Sequence, residues 1–151
     1  MSEMLGNRYF LARKFDRAIP ELEKALQNSH EDQKIKKKLI ICYVQVGQIE
    51  HALQIFWELI KKDPQIIIDT DPYYDDCPCP TLVEQWEKII TYKEDGIRME
   101  FVALGILYLY CDIQKSIAFF EQAVKIMESN QQIKNILNLL RNMPEKTSQP
   151  S

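Results

Sequence analysis

Glycine and histidine are scarce in this chain of 151 residues, with four glycines isolated at 6, 47, 96 and 105 and two histidines, His30 and His51. Isolated glycines cannot build a phosphate-cradling loop. Together with only seven prolines, they are too few to punctuate an all-β fold. Two histidines leave little material for a His-dependent nucleophile, and no Gly-x-Ser-x-Gly occurs, so no enzymatic activity and no cofactor are expected. The most apolar run, 101–111, is eleven residues long, well short of the roughly 20 that cross a bilayer. The opening residues show no basic start followed by an apolar core, as a secretory signal would. The expectations are therefore a cytoplasmic location and no membrane partner. Lys+Arg 19 against Asp+Glu 22 gives a net charge of −3, which argues against a general nucleic-acid surface. Four cysteines do not make a disulfide scaffold. Cys42 and Cys111 fall inside apolar helical patterns and read as small buried hydrophobes.

What is present is helical periodicity, repeated. Hydrophobic residues at 46% and charged residues at 27% exclude a disordered chain. Over 15–26 the apolar or small positions are Phe15, Ala18, Ile19, Leu22, Ala25 and Leu26, one face of a helix. Thirty-four residues on stand Ile49, Ala52, Leu53, Phe56, Leu59 and Ile60. A further 64 residues on stand Ile113, Ser116, Ile117, Phe120, Ala123 and Val124, with the same order of small and bulky positions. Another apolar helix precedes each of these. It carries Leu5, Gly6, Tyr9 and Phe10 in the first copy, and Leu39, Ile40, Tyr43 and Val44 in the second. In the third copy Leu104, Gly105 and Tyr108 match at an offset of 99 rather than 98 from the first, which implies a turn one residue shorter.

A 34-residue helix–turn–helix with Leu-Gly-x-x-Tyr in its first helix resembles the tetratricopeptide repeat. So does the Ala-x-x-x-Phe-x-x-Ala spacing of the second helix. The first copy carries the resemblance through Leu5, Gly6, Tyr9, Ala18, Leu22 and Ala25, with His30 at the closing proline position. The second carries it through Leu39, Tyr43, Gly47, Ala52, Phe56 and Pro64, and the third through Leu104, Gly105, Tyr108, Phe120 and Ala123, with Ser116 as the small residue. The resemblance implies an all-α, right-handed superhelix of antiparallel hairpins. On this reading one domain spans 1–143, with repeats at about 2–30, 31–64 and 97–129. A single hairpin cannot bury its own apolar face, so the copies must stack and be capped. Residues 130–142, apolar at Ile133, Ile136, Leu137 and Leu140, are the expected cap, and 144–151 a tail.

An insertion over 65–95 breaks the period. It opens with Ile66, Ile67 and Ile68, continues as a proline-rich loop to Pro80, and then turns helical. Thr81 with Glu84 reads as a capping box, Leu82, Val83, Trp86, Ile89 and Ile90 as the apolar face, and Asp95-Gly96 as the stop. Long loops inside compact domains are often functional. Here Cys77 and Cys79, beside Asp69, Asp71, Asp75 and Asp76, are candidate soft-metal ligands or a redox pair, although structural zinc normally needs four ligands. The alternative is a rigid turn with solvated acids.

In the family the first helices of the repeats line a concave groove. Carried over by position, Asn7, Phe10, Leu11, Lys34, Lys37, Lys38, Ile41, Val44 and Gln45 are the candidate peptide-binding residues, an apolar groove with a basic end. Lys36 points elsewhere at 100° per residue. The carboxylate clamp that some members use for chaperone carboxyl termini is not matched. Glu3 stands in its first lysine position and Lys38 in its second asparagine position, and Val102 replaces an arginine. The implied function is a non-enzymatic module that binds a partner peptide or amphipathic helix, acidic in character. A metal- or redox-responsive regulator built on Cys77 and Cys79 is the alternative. Composition does not set the oligomeric state.

Overall fold

A computed structural model describes residues 2–29, 32–71, 77–92 and 99–143. The expectations attached to His30, Asp75, Asp76, Asp95, Gly96 and the tail 144–151 lie outside the described residues. The described chain is all α, with no strand among the described residues. Its elements are α1 (Ser2–Leu11), α2 (Phe15–Asn28), α3 (Gln33–Gln45), α4 (Ile49–Lys62), α5 (Gln65–Ile68), α6 (Cys79–Tyr92), α7 (Met99–Tyr108), α8 (Ile113–Ile126) and α9 (Gln131–Arg141).

Consecutive helices pair as hairpins, α1 with α2, α3 with α4 and α7 with α8. Asp32, Asp112 and Asn130 start α3, α8 and α9 by accepting from the backbone N–H three residues on, at 3.1, 3.2 and 3.0 Å. These bonds satisfy donors that a helix start otherwise leaves open. Small residues set the close approach inside the hairpins: Ala18 and Ala52 are fully buried. Ser116, at the same position in α8, donates its hydroxyl to the Gly105 carbonyl at 2.6 Å. The hairpins then stack through aromatic rings, with Phe56 and Phe120 centroids 5.9 Å apart. Because α4 packs on α7, the insertion leaves the stack and the third hairpin follows the second directly. At the far end α9 buries Ile133, Ile136, Leu137 and Leu140.

The insertion differs from its sequence reading in three ways. Ile66 to Ile68 lie in the short helix α5, with Ile67 fully buried, so the loop begins later than the composition implies. The second insertion helix starts at Cys79, not at Thr81, so the capping box does not form. Its first turn instead takes Pro80, whose missing N–H costs nothing there, while Thr81 and Leu82 both donate to the Pro78 carbonyl at 3.1 Å. Finally, Leu82 and Val83 are buried but Ile89 is 43% exposed, because α6 is covered by α7 along one face only. Cys111 also departs from expectation. It is exposed, lying in the turn past the end of α7 rather than on its buried face.

Candidate functional site

The inner faces of α1 and α3 meet at a cavity of about 220 Å³. Six of the nine residues carried over by position stand around it: Asn7, Phe10, Lys34, Lys37, Lys38 and Ile41. Helical spacing explains the lysines, since Lys34, Lys37, Lys38 and Ile41 follow i, i+3, i+4, i+7 on α3. Lys38 is braced: its ammonium donates to Asn7 Oδ1 at 2.9 Å and lies 5.7 Å from the centre of the Phe10 ring. The floor is apolar but offers little surface, with Phe10 at 0% and Ile41 at 2% exposure.

The other three candidates do not join them. Leu11, the last residue of α1, is 52% exposed and does not line the cavity. Val44 is fully buried in the core and does not line the cavity. Gln45 is already occupied, its side-chain oxygen accepting from Trp86 Nε1 at 2.7 Å. The insertion helix thus covers the Gln45 end of the groove. Tyr108 reinforces that cover by donating its hydroxyl to the Glu87 carboxylate on α6. Its pKa is raised, first by burial and then by that hydrogen bond.

The cavity also has walls that residue spacing does not reveal. Glu3, Ile35, Thr70, Cys77 and Tyr110 line it. Tyr110, fully packed, donates to the Lys37 carbonyl at 2.8 Å and so ties the turn after α7 to α3. Its pKa is driven up chiefly by burial. Thr70 is only 8% exposed, and its hydroxyl has no hydrogen-bond partner among the described residues. Cys77 and Cys79 are joined as a disulfide. Bonded to each other, neither sulfur is the thiolate that a metal requires, and the described residues contain no cluster of three or more metal-ligating side chains. Cys42, in α3, stays a thiol, its pKa pushed up to about 12 by burial, against an opposing pull from Lys38.

Residues 9–75 match the family model described as Tetratricopeptide repeat. Together with the stacked helical hairpins, this match fits a tetratricopeptide-repeat protein. No curated protein and no solved structure matches the chain. The tetratricopeptide match covers α2 to α5 and includes Phe10, the three lysines and Ile41. Most of the cavity therefore lies on the matched repeats. Cys77, Tyr110, Glu3 and Asn7 fall outside the matched residues. No helix of the described residues is long and apolar enough to cross a membrane.

Proposed function

We propose that this chain is a non-enzymatic protein-interaction module of the cytoplasm, an adaptor, scaffold or small chaperone, that holds a partner's peptide or amphipathic helix in its concave groove. Tetratricopeptide repeats generally mediate protein–protein interactions. The observation carrying the reading is that Asn7 and Phe10 from one hairpin and Lys34, Lys37, Lys38 and Ile41 from the next surround one open cavity. Its test is a partner that co-purifies from native extract, measured against wild type and Lys34→Glu. Weaker binding to a variant of unchanged helicity supports the groove. Equal binding removes the concave face and directs the search to the insertion around Tyr73 and Tyr74.

A second reading, redox-responsive regulation, is favoured by the disulfide in the cavity wall. In a reducing compartment a disulfide is usually transient and sensing rather than structural. Reduction by a protein dithiol breaks the S–S bond, places two electrons and two protons on Cys77 and Cys79, and leaves the reductant as a disulfide. Differential alkylation of rapidly acid-quenched cells measures both forms. Cysteines fully reduced under every growth and stress condition would remove this reading.

A further inference from the structure

We infer that Cys77 is a site of reversible S-thiolation, attacked by a low-molecular-weight thiol such as glutathione, with Cys79 as the leaving and resolving sulfur. The inference rests on the redox reading of this pair and deepens it.

The two cysteines differ in access. Cys79 is fully buried, whereas Cys77 is half-buried and lines the cavity between α1, α3 and the end of α5. A thiolate opens a disulfide by reaching one of its sulfurs, so access decides which is attacked. Of the pair, Cys77 is the one that the folded chain presents. Cys79 N–H donates to Cys77 Sγ at 3.4 Å, which holds that sulfur in place. A cavity of about 220 Å³ admits the thiol arm of a small molecule but not the surface of a folded protein, and this selects the class of attacker.

The incoming thiolate bonds to Cys77 Sγ as the Cys77–Cys79 bond breaks, and Cys79 takes the electron pair away as a thiolate. It leaves from the first residue of α6, the positive end of that helix's dipole, which favours departure. Fully buried, the Cys79 thiolate does not persist. It takes a proton, or it returns to Cys77 and expels the small thiolate. A second thiol attacking the adduct completes the reduction: Cys77 leaves as a thiolate, and the attacker stays disulfide-bonded to the small thiol. The two cysteines are only two residues apart, so their bond closes a very small loop and constrains the unfolded chain little. Opening it therefore costs the fold little, as a reversible modification needs.

The test treats the oxidised whole chain with reduced glutathione in the absence of oxygen and quenches early with acid. Mass spectra that fragment the chain between Cys77 and Pro78 then locate the adduct. Glutathione should sit on Cys77 rather than Cys79 by about tenfold or more, as an access-controlled attack requires. In Cys79→Ala, shown folded by circular dichroism, glutathione disulfide should thiolate Cys77. In Cys77→Ala it should leave Cys79 unmodified until denaturant is added. Adducts shared equally between the two cysteines overturn this inference and leave the redox reading standing. So does a Cys79 that reacts in folded Cys77→Ala as fast as Cys77 does in Cys79→Ala. If reduced glutathione opens the pair only in the denatured chain, the bond is structural, and this inference and the redox reading fall together.

Discussion

Gly105 and Phe120 approach so closely that a Cβ on Gly105 would lie 2.8 Å from the Phe120 ring. Gly6 and Leu22 repeat the relationship, again at 2.8 Å. The hairpins they belong to differ in one respect. The turn after α1 closes with Lys14 N–H on the Tyr9 carbonyl, and the turn after α3 with Gln48 N–H on the Tyr43 carbonyl, each five residues back. The turn after α7 closes with Asp112 N–H on the Tyr108 carbonyl, four residues back. The dropped residue explains the offset of 99. Gly105→Ala should cost about 1–3 kcal/mol by overpacking against a ring with no room to move, partly offset by the better helix propensity of alanine. Urea denaturation checks this. An unchanged midpoint would mean that Phe120 turns aside freely.

The shared geometry shows why so much of the fold was legible. Phe56, Phe120 and the small residues between hairpins recur because every copy must solve the same packing problem, and a fixed offset exposes them. The site was legible only where it lies on a repeat. Lys34, Lys37, Lys38 and Ile41 follow from helical spacing, whereas Thr70 and Cys77 belong to an insertion with no second copy to compare. Carry-over by position does not tell that Val44 is fully buried or that Gln45 is taken by Trp86. Position within the family treats the groove as open, but α6 closes it at Gln45 with Trp86. Phe10 and Ile41 line the cavity while almost wholly buried, and amphipathic patterning cannot separate a wall from a floor.

Arg13 has φ +63° and Gly47 has φ +87° at the equivalent place in the next turn. A side chain in this left-handed region crowds its own backbone, whereas glycine occupies it freely. Arg13→Gly should raise stability by up to about 1 kcal/mol, the relieved strain exceeding the added freedom of the unfolded chain. Gly47→Ala should lower it by about the same amount even though nothing lies within 4 Å of the new Cβ. Thermal midpoints moving in the same direction for both variants would contradict this account.

Cys42 gives the fold an alkaline weakness. Burial raises its pKa from 9.0 to about 12, so below pH 9 both folded and unfolded chains hold the proton and stability is flat with respect to this group. Above pH 9 the unfolded thiol ionises while the folded one does not, and stability falls until the folded thiol also ionises near pH 12. The limiting slope from one such group is about 1.4 kcal/mol per pH unit. Exposed Cys111, also raised, adds a smaller share. Cys42→Ala should therefore show a shallower decline between pH 9 and 10 than wild type, whatever its stability at neutral pH. Equal slopes would place the titration elsewhere.

The lysines of the cavity should reveal themselves in rates before affinities. Lys34 is exposed and Lys37 and Lys38 are half-buried on one face of α3, where they raise the local positive potential in a chain of net charge −3. Exposed charges steer encounter over distances comparable to the Debye length, about 10 Å at 0.1 M salt, and are screened beyond it. Charge reversal at Lys34 together with Lys37 should therefore slow association with an acidic partner by about tenfold or more at low salt. The difference should shrink at 0.5 M salt, where screening hides the charges in both proteins. Dissociation should change less, because Lys38 stays braced by Asn7. Ile41→Asp is a poor probe of the same face, since at 2% exposure it buries a charge and unfolds the helix pair. Stopped-flow measurements across a salt series decide the matter: association rates equal to wild type at every salt concentration would show that the partner does not enter by this basic end.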